Sequence, residues 1–268
     1  MLPDQATSRI HALWDELASF SAHETEAALD HALQALCDLI GAQQAFWIGA
    51  VRLQIEADPL AGWRVRAIRR LDAGAENRQI LKSVQQYHDH GIVDPITVAQ
   101  VRQAGEFRVR LLRDLAPPDF VSTHAYDILY RSRQIQDAIF AAFPVNADAE
   151  SYFGWYRVGS QRDLFSPADR DLVAYALRAL KWFHQRIMLH YGLLVAKAPL
   201  TAVERRLVSL QLTDRSEKEI AADLALTPST THTYITDLFR KFGVSGRAGL
   251  TALWLGKPSG DRDSVQSL

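Results

Sequence analysis

The chain has 268 residues, 48% of them apolar, a formal net charge of −1 and a single cysteine, Cys37. That balance excludes a polybasic or disordered chain and any internal disulfide, and one cysteine suits a reducing cytosol. No stretch reaches the ~18 consecutive apolar residues of a membrane span, and the start MLPDQATSRI lacks the basic and apolar blocks of a signal peptide. The expectation is a cytoplasmic protein of about two domains.

Ile10, Leu13, Leu17 and Phe20 recur at helical spacing. So do Leu29, Ala32, Leu33, Leu36, Cys37 and Ile40, closed by Gly41. Cys37 lies on that stripe and reads as a small buried hydrophobe. The runs AFWIGAVRLQI (45–55) and WRVRAIRRL (63–71) read as a strand pair around the Pro- and Gly-containing loop EADPLAG. Residues 76–90 return to a helical pattern, and helices are expected within 94–104 and 117–132. Two further strands fit QDAIFAAFPV (136–145) and SYFGWYRVG (151–159), with NADAE between them.

Ser166 is a good helix cap, Pro167 suits the first helical position and Asp169 suits the N-terminal end of the dipole. A wide apolar stripe from Leu172 to Tyr191 predicts one helix over 167–194, ~42 Å long at 1.5 Å per residue. Such a helix either packs across one sheet or offers its far end to a second chain. His184 and His190 on it read as surface or interface residues. VAKAP (195–199) marks a junction. The fold class is therefore α+β: an N-terminal α-β-α sandwich with a largely antiparallel sheet (1–195), a C-terminal helical domain (199–257) and a tail (258–268).

The last 70 residues are the most informative. Thr201 with Glu204, and Ser216 with Glu219, have the spacing of capping boxes. The second of these helices is short, ending near Ala225. Thr227 then caps a third helix, with Pro228 in its first turn and Gly243 at its end. Thr231, Ile235, Leu238 and Phe242 fall on its inward stripe. SGRAGLTALWL supplies a fourth helix. A short helix, a tight turn and a longer helix make the helix-turn-helix layout, whose second member enters the DNA major groove. Its outward face carries Ser229, Thr230, His232, Thr233, Thr236, Asp237, Arg240 and Lys241. Small hydroxyls at a helix start stand where free N–H groups favour a phosphate.

LTAVE, SEKEIAADLALT and STTHTYITDLFRKFGVSGRAGL (within 200–255) together resemble the LuxR-type (LuxR/FixJ) DNA-binding domain. The resemblance implies a four-helix module that binds double-stranded DNA, usually as a homodimer on inverted repeats, with RNA polymerase a further candidate partner. It implies phosphate-side anchors at Lys218, Ser229, Thr230, Arg240, Lys241 and Arg247, and base-facing positions at His232, Thr233 and Thr236. The chain departs from the family at Thr231-His232, where Val-Lys is common, at Tyr234, where His is common, and at Asp214, where Gly is frequent. Between 200 and 257, eight basic residues (Arg205, Arg206, Arg215, Lys218, Arg240, Lys241, Arg247, Lys257) face six acids (Glu204, Asp214, Glu217, Glu219, Asp223, Asp237). A module near +2 binds non-specific DNA weakly, because that binding is mostly counterion release. The alternative is a protein-interaction or antagonist module whose helix-turn-helix binds no DNA.

In this family the N-terminal domain usually controls the DNA module. The acids a phosphorylatable receiver domain needs after its first strand are missing, and that class is set aside. The autoinducer-binding branch is echoed in part by Asp94-Pro95 within YHDHGIVDPIT, but Leu81 and Gln85 stand where that branch has Trp and Tyr. A GAF-like or PAS-like sensor is the broader reading, with that branch as a distant relative. The expected ligand is a small apolar or acyl-homoserine-lactone-like signal. Its candidate contacts are Trp47, Trp63, Tyr87, Asp94, Tyr126 and Trp155, in a region that also holds Phe46, Tyr130 and Tyr156; ordinary core is the alternative reading of these aromatics. Asp94 suits a ligand N–H or a helix cap. No nucleophile elbow, phosphate loop, dinucleotide fingerprint or HExxH motif is present, so no enzyme activity and no cofactor are expected. His88, Asp89 and His90 in YHDHG do not complete a metal site.

Overall fold

The computed structural model describes residues 2–53, 58–71, 93–159, 164–194 and 199–256. The helix expected at 76–90, the junction at 195–198, the YHDHG histidines and the tail lie outside the described residues. The chain divides into two compact units, one of Met1–Phe20 and Glu26–Gln185, the other of Ser21–Thr25 and Arg186–Leu268.

The first unit is built on a five-stranded, wholly antiparallel sheet in the order β2-β1-β5-β4-β3. Its strands are β1 (Gln44–Arg52), β2 (Trp63–Arg70), β3 (Arg108–Leu111), β4 (Ile135–Asn146) and β5 (Ala149–Val158). Four of them stand where the alternating runs place them. The fifth, β3, is four residues at the sheet edge with two arginines, too short and too charged for the pattern to register.

Helices cover both faces. On one lie α1 (Asp4–Ser19) and α2 (Thr25–Ile40), which bury Ile10, Leu13, Leu17, Leu29, Leu33, Leu36 and Cys37. Arg69 of β2 reaches α2 through Asp30, at 2.8 and 2.5 Å. On the other lie α3 (Pro95–Val101), the single turn α4 (Leu112–Leu115) and α5 (His124–Leu129). Residues 117–132 are therefore one short α-helix flanked by 3₁₀ turns, not a continuous helix.

The expected 28-residue helix is also two: α6 (Pro167–Arg178) and α7 (Lys181–His190). No proline or glycine separates them. In an unbroken helix the Leu180 N–H would donate to the Ala176 carbonyl. Instead the Trp14 indole donates to that carbonyl at 2.8 Å, and Leu180 turns to Leu177 O at 3.0 Å. A side chain from another helix has taken a rung of the ladder. At the start of α6, Ser166 and Asp169 form the full capping box.

His184 and His190 are buried, 0% and 2% exposed, which corrects their reading as surface or interface residues. The His184 ring stacks on Phe143 at 4.3 Å and meets Phe153 edge-on at 5.5 Å. Its Nδ1 lies 2.9 Å from Ser151 Oγ, which also accepts from Trp47 Nε1 at 2.8 Å. One hydroxyl thus bonds a nitrogen of each of two large rings inside the core.

The second unit contains α8 (Ala202–Gln211), α9 (Glu217–Asp223), α10 (Pro228–Phe242) and α11 (Arg247–Trp254). Thr201 and Ser216 close their capping boxes with Glu204 and Glu219, Thr227 accepts from Thr230 N, and Gly243 ends α10 at φ 62°. Leu207, Val208, Ile220, Ile235, Leu238, Phe242 and Leu250 form one core.

Burial holds the His184 imidazole down at about 3, from an ordinary 6.5. The unfolded chain therefore takes up this proton more readily than the folded one. The stability tied to neutral His184 is complete above about pH 6.5 and drains as pH falls toward 3. Between pH 7 and pH 5 the loss is about 2 kcal/mol. Denaturant titrations of wild type and His184→Gln at both pH values check this. The variant should start weaker at pH 7 and lose about 2 kcal/mol less over the interval.

Candidate functional site

A strand sends alternate side chains to opposite faces, and that rule sorts the aromatics of the first unit. Phe46, Ile48 and Ala50 of β1 share a face with Tyr152 and Tyr156 of β5 and Phe140 of β4. Over this face lies a cavity of about 260 Å³. Trp63, Val65 and Ile68 of β2 line one side, and Asp94, Ile96, Gln100, Tyr130 and Arg133 line the other. Phe46 lies across the sheet only because Gly154 faces it: a Cβ there would stand 2.2 Å from the Phe46 ring.

Of the candidate ligand contacts, Trp63 and Asp94 line this cavity. Trp47 and Trp155 do not. They project from the opposite face and are 0% exposed, Trp47 on Ser151 and Trp155 stacked with Phe153 at 5.7 Å. Tyr126 stands one layer back, stacked on Tyr130 at 5.9 Å and edge-on to Phe120 at 5.1 Å. Tyr87 lies outside the described residues. Asp94 takes the capping role, accepting from Ile96 N (3.0 Å) at the start of α3, and it also forms part of the cavity wall. Its Oδ2 also accepts from Thr97 Oγ1 and Tyr130 OH, each at 3.1 Å. Burial outweighs these bonds and raises the Asp94 carboxyl above its usual range; burial likewise raises the Tyr130 and Tyr156 hydroxyls.

The polar end of the wall continues into a buried cluster that the sequence did not announce. Arg108 and Glu150, 2% and 0% exposed, form a bidentate pair at 3.0 and 2.9 Å. Arg108 also donates to Tyr152 OH at 2.6 Å and to Gln100 Oε1 at 3.0 Å. The alternation of charged and apolar residues in RVRL is the one signal that could have found it; the pairing itself is long-range.

In the second unit, α10 exposes Ser229, His232, Thr233, Thr236, Arg240 and Lys241 on one side and buries Thr231, Ile235, Leu238 and Phe242 on the other. Thr230 is half-buried, its hydroxyl 2.8 Å from that of Thr227. Thr233 and Thr236 donate their hydroxyl protons back to Ser229 O (3.1 Å) and His232 O (2.9 Å). They therefore face outward as acceptors rather than as the donors a phosphate would want. Much of the positive charge is already spoken for. Arg240 pairs with Asp237 at 2.8 Å, Lys241 with Glu204, and His232 Nδ1 lies 3.2 Å from Glu217 Oε2. Arg247 is tied to Gln211 Oε1 at 3.1 Å and to Thr213 O at 3.4 Å. Lys218 is exposed and makes no ion pair among the described residues. Between α9 and α10 the chain turns at Ala225, whose φ of 53° is left-handed, and Leu226 N closes onto Ala221 O at 2.9 Å.

Among the described residues no group of three or more His, Cys, Asp or Glu is placed to hold a metal ion, and no helix is long and apolar enough to cross a membrane.

Residues 198–254 match the family described as GerE, bacterial regulatory proteins, luxR family, and form its helix-turn-helix domain. No curated protein sequence matches the chain. Among solved structures, SdiA in complex with octanoyl-rac-glycerol aligns at 10% identity and a TM-score of 0.46, covering 96% of this chain and 97% of that one. The VqsR LBD domain from Pseudomonas aeruginosa aligns at 11% identity and a TM-score of 0.46, covering 70% and 98%. Escherichia coli SdiA aligns at 11% identity and a TM-score of 0.44, covering 94% and 97%.

Thr231 breaks the apolar stripe of α10: it is 0% exposed, and its Oγ1 has no hydrogen-bond partner among the described residues. Replacing a buried unpaired hydroxyl by a methyl of the same shape removes a desolvation penalty. Thr231→Val should therefore stabilise the second unit by about 1 kcal/mol. Thermal or denaturant unfolding followed through Trp254, which packs against this core, checks it.

Proposed function

We propose that this chain, whose residues 198–254 form a LuxR-type helix-turn-helix, is a cytoplasmic, ligand-responsive transcription regulator. Residues 1–195 act as the sensor and 199–257 as the DNA-binding module. The observation that carries the reading is that family match, set on a capped, correctly spaced helix pair with a polar outer face. In this reading α10 enters the major groove. His232 and Thr236 face base edges, while Lys218, Ser229, Arg240 and Lys241 hold the phosphates. The module's small net charge makes one copy a weak binder, so a homodimer on a two-fold site is part of the proposal. The cavity of about 260 Å³ is the signal site. It is smaller than the ~300–1,000 Å³ of drug-sized pockets, which favours a small, mostly apolar molecule. Signal binding would shift the population of DNA-competent protein, with contact to RNA polymerase downstream.

Capture of genomic DNA fragments by the purified protein at low salt tests this directly, and failure to retain any fragment would overturn it. On a captured site, His232→Ala with Thr236→Ala should abolish sequence preference, at about 1–3 kcal/mol per lost base contact, with the circular-dichroism spectrum unchanged.

One observation favours a second reading, in which the module contacts a protein and no DNA. Arg240 and Lys241 of its outer face are paired internally with Asp237 and Glu204, and His232 Nδ1 lies beside Glu217. Asp237→Asn separates the two readings. If α10 meets DNA, releasing Arg240 should raise non-specific affinity and steepen the slope of log K against log salt by about 1. A slope unchanged within error would favour the protein-interaction reading.

A further inference from the structure

Gln100 forms part of the cavity wall and is 6% exposed. Its Oε1 accepts from Arg108 Nε at 3.0 Å, which settles which end of the amide is which. The other end, the Nε2 donor, is buried with no hydrogen-bond partner among the described residues. Leaving such a donor unpaired is unfavourable, and folded proteins seldom do so without a use for the group.

The amide cannot relieve itself by turning over. A flip would set Nε2 against Arg108 Nε–H, donor to donor. Nor can Arg108 move aside. Its two terminal nitrogens are held by Glu150 at 3.0 and 2.9 Å, by Glu106 O at 2.9 Å and by Tyr152 OH at 2.6 Å. Glu150 is fixed in turn by Gly105 N at 2.7 Å. A buried ion pair of this kind adds little net stability, because desolvation offsets most of the attraction. What it supplies here is direction: a chain of bonds from the sheet edge that fixes the amide of one wall residue, Gln100.

Several of the cavity's other polar groups are already engaged, while Arg133 on the same wall sets its guanidinium over the Tyr156 ring at 5.2 Å. Asp94 accepts from Ile96 N, Thr97 and Tyr130, the Tyr152 hydroxyl lies between Arg108 and Glu150, and Arg64 is held by Asp58 at 2.8 Å. We infer that Gln100 Nε2 is a polar anchor of the site, donating to a carbonyl or ether oxygen of a small apolar ligand, with Arg108 as the positioning residue behind it. The inference rests on the reading of the cavity as the signal site, and it adds the chemistry the signal must carry: a hydrogen-bond acceptor set against an apolar body.

Acetophenone and cumene have the same shape and differ in a carbonyl oxygen, so they serve as probes. Ligand-observed NMR titrations on the full chain give both affinities. Wild type should bind the ketone about three- to ten-fold more tightly, the worth of one neutral hydrogen bond. Gln100→Glu keeps an acceptor for Arg108 but replaces the donor with a carboxylate oxygen, and should bring the ratio to one or below. Gln100→Leu should do the same without adding charge. Arg108→Lys keeps a cation beside Glu150 but loses the Nε contact, and should lower the ratio while leaving the cumene affinity unchanged. A preference that survives in both Gln100 variants, or is missing from wild type, overturns the inference and leaves the cavity reading standing. If wild type binds neither probe, the cavity reading fails and the inference with it.

Discussion

The first unit depends on the two-residue period of β5. This strand lies between β1 and β4, so its pleat is imposed from both sides and cannot slip. Ser151, Phe153 and Trp155 must therefore face one layer of helices while Tyr152 and Tyr156 face the other. The first set closes a dry core around the Ser151 hydroxyl, where Trp47 and His184 meet. The second set forms the floor of the cavity. Gly154 sits in the middle of the second set and leaves the space that Phe46 fills. Cavity floor and core are thus two sides of the same ten residues, and neither can be redesigned by shifting the strand.

Much of this was legible in the sequence, and where it was not the reason is physical. The helix-turn-helix was readable nearly to the residue because its signals are local: caps three residues apart, a proline in the first turn, a glycine at the end. The four longer strands were readable for the same reason. The aromatics were harder. Trp47 and Trp155 are as apolar and as sheet-borne as Trp63, and parity alone says only that Trp47 and Phe46 part company, not which of them meets a cavity. That choice is made by helices far away in the chain. The Arg108–Glu150 pair spans 42 residues, and the break at 179–180 is caused by a tryptophan 162 residues upstream. No window of sequence contains either event.

The second unit shows how small a margin its electrostatics leave. The same acids that cap helices also sit beside its cations. Glu204 accepts from Thr201 N at 2.8 Å with one oxygen and holds Lys241 with the other. Helix capping and charge neutralisation are thus done by one side chain, so evolution cannot adjust one without the other. Glu217 likewise occupies the first turn of α9, where the helix dipole favours an anion, and from there it reaches His232. A face of this kind gains little from long-range attraction to a charged partner, and Thr233 and Thr236 present acceptor oxygens on it.

The break between α6 and α7 has a mechanical meaning. A single helix over the same stretch would be a rigid lever ~42 Å long, and a small tilt at one end would be magnified at the other. Two helices of 12 and 10 residues are levers of ~18 and ~15 Å meeting at a joint. The joint is held by one indole N–H from α1, so the break in the helical ladder depends on the seating of Trp14.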